Sequence, residues 1–290
     1  MALPGFGRPP AYYFIWILPR NSFNRLCGFV ADAKFPRFLM TLLIRLFSWK
    51  YGVNLEEASK QVSEYKNFNE FFTRKLLPDV RTLDPDIEAV LSPVDGIMGE
   101  SGVISNEILI QAKGLEYRLA DLLKDSEKSK LYDGGIFITI YLAPYNYHRI
   151  HSMVSGEVSQ FCYIPGDLWT VSPLGLHHVP ELFARNERLI TYFETEKGEC
   201  ALVKIGATVV GRIRVVYHEI TSNRLGTTFQ KNVLACPHRV ERGDEVGLFE
   251  LGSTVICLFP PGQIELNELK IDQEIFLGQA LGKFSSIHNR

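Results

Sequence analysis

The chain has 290 residues, 46% of them hydrophobic and 22% charged, with a net charge of −2. That composition excludes a disordered or low-complexity polypeptide and allows one large domain or two small ones with a substantial core. The charge is uneven: residues 1 to 50 carry Arg8, Arg20, Arg25, Lys34, Arg37, Arg45 and Lys50 against the single acid Asp32, a net +6 that leaves −8 for the rest.

In chain order, the first element is A-Y-Y-F-I-W-I-L at 11 to 18, aromatic and apolar but stopped by Pro19. It is well short of the ~20 residues a spanning helix needs. No small-x-small site follows it, so neither a bilayer span nor a cleaved signal peptide is expected. From 35 to 47, Phe35, Phe38, Leu39, Leu42, Leu43, Leu46 and Phe47 recur at helical spacing, while Lys34, Arg37, Thr41, Arg45 and Ser48 take the other side. This predicts a basic amphipathic helix. Such a helix can pack on the protein's own core or lie on a membrane surface, and its basic face with Phe, Trp and Leu favours the surface. A basic, aromatic segment on an acidic body points to an anionic partner, nucleic acid or phospholipid headgroups.

Glu56 to Tyr65 reads as a further surface helix, followed by F-N-E-F-F-T-R at 68 to 74. After Asp84-Pro85 the texture changes. Short β-branched and aromatic runs at 136 to 142, 201 to 205, 207 to 216 and 253 to 259 alternate with Gly, Pro and Asp turns. The expected fold class is α+β: a helical N-terminal region over 1 to 80 and a β-rich, barrel- or sandwich-like catalytic domain over 81 to 290. No repeat is present.

Five cysteines, Cys27, Cys162, Cys200, Cys236 and Cys257, are odd in number and form no C-x-x-C pair. That argues for a reduced compartment and against a disulfide framework or a zinc site. Cys236-Pro237-His238 offers too few ligands for a metal and reads as a loop.

Three short stretches carry candidate chemistry. Y-N-Y-H-R-I-H at 145 to 151 sets His148 and His151 three apart, directly after a predicted strand. S-P-V-D-G at 92 to 96 holds Asp95 at a turn, and E-L-G-S-T-V at 250 to 255 holds Ser253 beside Gly252 at the start of a buried strand. An aspartate, a histidine and a serine could serve as orienter, base and nucleophile, although sequence order does not show that they meet. Taken singly, each reads more readily as a turn or a structural histidine pair than as a site. The serine lacks the G-x-S-x-G frame of an α/β-hydrolase.

Taken together these stretches are more specific. F-N-E-F-F-T-R at 68 to 74, S-P-V-D-G, I-L-I-Q-A-K-G at 108 to 114, Y-H-R-I-H at 147 to 151, I-P-G-D-L at 164 to 168, L-F-A-R-N-E-R at 182 to 188 and F-E-L-G-S-T-V at 249 to 255 occur in one order. In that order the chain resembles the pyruvoyl-dependent phosphatidylserine decarboxylases of bacterial and mitochondrial type over nearly its whole length. The resemblance implies a proenzyme that cuts itself between Gly252 and Ser253, giving a large subunit 1–252 and a small subunit 253–290. Ser253 would become the covalent pyruvoyl cofactor and form a Schiff base with the substrate. It also implies that His151 takes the serine proton, that Asp95 orients His151, and that His148 is the acid-base residue of decarboxylation.

The chemistry is consistent with that resemblance. Loss of CO2 from an α-amino acid leaves negative charge on the α-carbon, and an electron sink is needed that no ordinary side chain supplies. Glycine at 252 leaves the attacked carbonyl uncrowded. The implied partner is phosphatidylserine in an anionic membrane, with the two subunits of one proenzyme and a possible homodimer, no nucleic acid and no metal. The implied location is peripheral, on the cytoplasmic face of the inner membrane, where basic residues favour anionic lipid by about 1 kcal/mol each. Two rivals share some of these features: a membrane-associated serine hydrolase, which would keep its chain intact, and a non-catalytic lipid-binding protein, which would leave the histidines idle.

Overall fold

The structure, a computed structural model, describes residues 9–112, 114–208, 212–250 and 253–286. Of the residues named above, Arg8, Lys113, Leu251 and Gly252 lie outside the described residues, as does the 209–211 part of the predicted 207–216 strand.

Three helices open the chain: α1 Pro10–Ile17, α2 Arg20–Asp32 and α3 Arg37–Tyr51. Proline suits the first position of α1, where no amide donor is needed. α3 ends at Gly52 with φ 74°, a left-handed cap that glycine adopts without a side-chain clash. The helices are fastened to the body. Tyr12 is buried and stacks on Trp169 at 5.8 Å, the Arg20 guanidinium lies 3.8 Å from the same indole and pairs with Asp167, and Asp32 pairs with Arg212 at 2.7 Å. Among the described residues no helix is long and apolar enough to cross a membrane.

The apolar face expected on α3 is only partly covered, and the buried residues of the helix, Met40, Ile44 and Ser48, lie outside it, Ser48 on the side expected to be polar. Met40 and Ile44 are buried against Val53, Tyr65 and Phe71, with Phe35 and Phe47 packed on the same cluster. Phe38 (76% exposed), Leu42, Leu43, Leu46 and Trp49 (85% exposed) point outward. The helix is apolar round most of its circumference, so periodicity alone does not say which stripe is covered; the short helix α4, Phe68–Phe72, presents Phe71 and makes the choice. The surface helix expected over Glu56 to Tyr65 is not formed. Residues there turn, apart from a single 3-10 turn at Val62–Glu64, because the backbone is drawn into tertiary bonds: Ser59 N donates to Lys75 O at 2.9 Å and Leu77 N to Glu57 O at 2.8 Å. Tertiary pairing overrides local helix propensity.

The body is built on an eight-stranded antiparallel sheet. Its order is Gln230–Val240, Gly156–Ile164, Arg188–Thr195, Gly198–Ile205, Ser253–Phe259, Ile136–Leu142, Gly96–Val103 and Glu274–Ile275. The predicted strands at 136 to 142, 201 to 205 and 253 to 259 are all present. Cys236-Pro237-His238, expected in a loop, lies in the Gln230–Val240 edge strand where the register shifts, a place that tolerates a proline. Two three-stranded sheets cover one face: Arg212–Val215 with Glu245–Glu250 and Arg149–His151, and Ala89–Leu91 with Ala280–Phe284 and Ile264–Leu266. Between them lies a core that includes Ile140, Leu142, Ile150, Phe161, Phe249 and Val255. The opposite face of the large sheet is covered by loops and short helices through Leu122, Trp169 and Phe183. The architecture is therefore mixed α+β with a β-rich, layered body, and among the described residues no sheet closes into a barrel.

Strand Ser253–Phe259 is buried at every position, which explains the unbroken apolar run from Val255 to Phe259. It pairs with Ile136–Leu142 from Ser253↔Leu142 to Phe259↔Ile136, and with Gly198–Ile205 on its other edge.

The partial cover of α3 predicts two different outcomes. Ile44→Ala should cost about 2–5 kcal/mol in urea unfolding. The double variant Leu42→Ser/Leu46→Ser should change stability by less than about 0.5 kcal/mol per site. A large loss from the double variant would mean that the outward stripe is covered by the protein itself.

Candidate active site

Ser253 begins the central strand, directly after the chain has left the smaller sheet at Glu250. It is fully buried and its Oγ has no hydrogen-bond partner among the described residues. An unsatisfied buried hydroxyl costs about 1–3 kcal/mol, so its persistence asks for an explanation in chemistry.

The segment carrying His148 is pinned to the Ser253 segment at two points. Ser253 pairs with Leu142, and Phe249 N donates to His148 O at 2.9 Å. Between them the chain turns at Ala143, whose N–H donates to Asn146 Oδ1 at 2.8 Å. The His148 ring is completely buried, 4.1 Å from the Phe72 ring. Its Nδ1 bonds Asn146 O at 2.8 Å, so that nitrogen carries the proton and Nε2 keeps its lone pair, with no partner among the described residues. Burial, with the Arg74 cation nearby, pushes its pKa down to about 3. A buried neutral histidine with a free Nε2 and a buried serine with a free hydroxyl thus lie on one closed backbone circuit.

His151 occupies a different setting. Its Nδ1 donates to Gly243 O at 2.7 Å, and Nε2, 3.1 Å from Tyr147 Oη, accepts the phenol hydrogen bond. Burial holds the ring below its ordinary pKa, and the Gly243 carbonyl partly offsets that effect. A cleft of about 380 Å³ opens here, lined by His151, Tyr147, Arg81, Glu245 and Leu277 among others.

Asp95 is buried in the S-P-V-D-G turn, which is fastened to the histidine strand by His151 N to Pro93 O at 2.8 Å. Gly96 is required here, since a Cβ would meet Tyr141 O at 2.5 Å. The carboxylate does not bond His151. It accepts from Arg81 Nη2 at 2.7 Å and Nε at 3.0 Å, and from Leu277 N at 2.8 Å. Its negative charge still reaches His151 and favours the protonated ring. Neither histidine ring hydrogen-bonds Ser253.

Several supporting residues escaped the sequence reading. Arg74, buried, donates from Nη2 to Tyr145 O at 3.0 Å and holds the loop that presents His148; Phe72 supplies the ring beneath it. Both belong to F-N-E-F-F-T-R, a stretch singled out without a role. Arg149 bonds Thr73 O and pairs with Glu245 at 2.7 Å, tying α4 to the smaller sheet. Arg81, the partner of Asp95, also pairs with Glu57 at 2.8 Å and stands in no motif at all.

Comparison with known proteins bears on this arrangement. The family model for phosphatidylserine decarboxylase matches residues 68–283. The chain is 39% identical over 267 residues to the phosphatidylserine decarboxylase proenzyme of Myxococcus xanthus, covering 92% of this chain and 95% of that one. It is 41% identical over 268 residues to the protein of the same description from Brevibacillus brevis, covering 91% and 94%, and 42% identical over 259 residues to that of Nitrosospira multiformis, covering 87% and 88%. The class is thus that of decarboxylases made as proenzymes. The chain belongs to the phosphatidylserine decarboxylase family.

The depressed pKa of His148 fixes the sign of a pH effect. Folded, the ring stays neutral until the pH nears about 3; in the unfolded chain it takes up a proton at the ordinary value of 6.5. Stability is therefore lost as pH falls from 6.5 toward 3, by up to ~1.4 kcal/mol per pH unit, and is unaffected well above 6.5. Urea unfolding at pH 7 and pH 5 should show that His148→Gln loses less stability over this interval than the parent chain, by about 1.5–2 kcal/mol. Equal losses would mean that His148 is solvated in the folded protein.

Proposed function

We propose that this chain is a self-processing enzyme that decarboxylates phosphatidylserine to phosphatidylethanolamine and CO2, and that its working cofactor is a pyruvoyl group made from Ser253. The reading is carried by one observation, the pair of buried unpartnered atoms, Ser253 Oγ and His148 Nε2, on a strand start that matches a family of decarboxylase proenzymes. These atoms also fit the group: a carbonyl at position 253 needs no donor from the protein beyond what Ser253 leaves free, and its surroundings are closed to bulk water.

In maturation, Ser253 Oγ attacks the carbonyl carbon of residue 252, and the peptide bond becomes an ester on the serine oxygen. Loss of the serine α-proton expels residue 252 as a carboxylate and leaves dehydroalanine, which takes up water and releases ammonia. His151 is suited to accept the hydroxyl proton because the Nδ1–H to Gly243 bond leaves Nε2 as the basic nitrogen, which the serine hydroxyl would reach by displacing the Tyr147 phenol. Asp95, held by Arg81, supplies the negative charge that stabilises the ring once protonated.

The pyruvoyl carbonyl supplies the electron sink for the charge left when CO2 departs. His148 delivers the proton to the α-carbon, and the closed core around it keeps water from competing. The ion pair Arg149–Glu245 and the Phe72 ring keep that histidine in place. The membrane-facing side falls to the N-terminal helices, whose outward stripe of Phe38, Leu42, Leu46 and Trp49 sits among Arg37, Arg45 and Lys50. Such a helix lies in the headgroup layer and brings the enzyme to its bilayer substrate as a peripheral protein.

Intact mass tests the maturation arm. Ser253→Ala, His151→Ala and Asp95→Asn should each leave one uncut chain, whereas the parent should yield two, the smaller lacking the amine of residue 253. His148→Ala should still be cut, yet release CO2 from phosphatidylserine ~10²–10⁴-fold more slowly per cut chain. An uncut His148→Ala would assign that residue to maturation, and efficient cutting of His151→Ala would remove His151 from it.

A further inference from the structure

We propose that the cavity between α2 and the segment 212–225 is the subsite for the phosphodiester of the lipid substrate. The proposal rests on the decarboxylase reading above and adds to it the groups that hold the headgroup. The cavity has a volume of about 300 Å³, room for a phosphodiester and its glyceryl end, and is lined among others by Asn24, Arg25, Phe29, Arg212, Asn223 and Arg224.

Its charge is not balanced from within. Arg212 is spent on Asp32, the one acid in the lining, at 2.7 Å, and on Glu250. Arg25 has a single side-chain bond, to the neutral Ser22 Oγ at 3.1 Å, and Arg224 has no carboxylate within ion-pair distance among the described residues. Two guanidinium groups without an ion-pair partner among the described residues therefore face one cavity, the buried Glu187 carboxylate acting on Arg25 only at longer range, and the planar fork of arginine matches a phosphate oxygen pair. A third donor is independent of charge. Asn223, in left-handed backbone at φ 53°, is 92% buried, and its Nδ2 has no partner among the described residues. A buried amide donor left empty beside two unpaired cations is a site waiting for an acceptor anion.

The location suits a serine phospholipid. In that lipid only a methylene and an oxygen separate the reacting α-carbon from phosphorus, so the anion site must lie beside the reacting residue and not on it. The cavity floor is joined to the strands beside Ser253: Asn24 Nδ2 donates to Ala207 O at 3.0 Å, and Asn223 N donates to Glu187 Oε1 at 2.7 Å. Glu187 O in turn accepts from Gly206 N, and the strand ending at Ile205 pairs with Thr254, next to Ser253. Arg212 pairs with Glu250, the last described residue before Ser253. At the mouth, Phe29 (74% exposed) and Leu225 (83% exposed) offer apolar surface to the diacylglycerol end. Cations inside and apolar side chains at the rim match the polarity order of a lipid headgroup entering from a bilayer.

The test uses cut enzyme and monomeric dihexanoyl-phosphatidylserine, so that membrane attraction is absent. Arg25→Gln/Arg224→Gln should raise KM at least ~10-fold, with kcat per cut chain within ~3-fold, and the corresponding lysine pair should restore part of the loss. Gly28→Leu fills the cavity without altering charge, since a Cβ there already lies 3.5 Å from the Arg212 guanidinium, and it should raise KM similarly. Glycerophosphoserine should bind the parent by calorimetry and compete with substrate, both effects failing in the arginine variant, while inorganic phosphate at equal concentration competes less. Unchanged KM on the monomeric lipid, with loss confined to anionic vesicles, would reduce the arginines to membrane contacts and overturn the subsite. Inorganic phosphate matching glycerophosphoserine would overturn it as well. If the parent were cut but released no CO2, the decarboxylase reading would fail on its own, and calorimetry would still decide whether the cavity binds a phosphodiester.

Discussion

The constraint on which the rest depends is the position of strand Ser253–Phe259 at the centre of the large sheet, buried on both faces and paired along both edges. A strand so placed cannot be released by cutting the chain in front of it. Its ladder to Ile136–Leu142 runs the full length of the strand, and the segments that follow it add strands to the large sheet, at Glu274–Ile275, and to one of the two smaller sheets, at Ile264–Leu266 and Ala280–Phe284. A peptide bond broken at the strand's first residue therefore leaves the fold's hydrogen bonds and core contacts in place. With the proposed cut before Ser253, self-cleavage would be a change in covalent chemistry at one buried point, with little consequence for architecture.

The same burial governs the acid-base groups. Water exclusion makes a charged imidazole costly, so both histidines are held neutral, His148 more strongly because it is enclosed and lies near the Arg74 cation. His151 borders a cleft, keeps a carbonyl on one nitrogen and a phenol on the other, and senses Asp95. The two rings thus differ in what a proton costs, although they stand three residues apart. Asp95 is tied to Arg81, whose charge offsets the cost of burying a carboxylate in a core.

In the proposed function the N-terminal helices would connect this interior with a bilayer. Their inner stripes pack on Phe71 and Trp169, and their outer stripes leave aromatic and aliphatic side chains among arginines and lysines. α2 contributes to both sides of that division: Asn24 is fixed to Ala207 in the body, and Phe29 stands out in solvent. A lipid headgroup passing along α2 would travel from an apolar rim past cations toward the strand that begins at Ser253.

How much of this was legible beforehand can be judged residue by residue. The central strand was readable because seven consecutive buried positions leave an apolar run that no exposed strand would show, and the Gly-Ser pair at its head stood out against that run. Periodicity likewise revealed a helix near 35 to 47, and the order of short motifs revealed the family. Which stripe of α3 is covered was not legible, because Met40 and Ile44 are no more apolar than Leu42 and Leu46, and only contact with Phe71 separates them. The helix expected over Glu56 to Tyr65 failed for a similar reason: its backbone is claimed by residues 75 and 77, partners that local propensity does not contain. The sequence by itself determined the chemical inventory, a serine, two histidines and an aspartate, since those atoms are written in the residues. Tertiary structure alone decided that Asp95 would face Arg81, that Phe72 and Arg74 would hold His148, and that Arg25 and Arg224 would share a cavity, because each depends on chain segments far apart in sequence meeting in space.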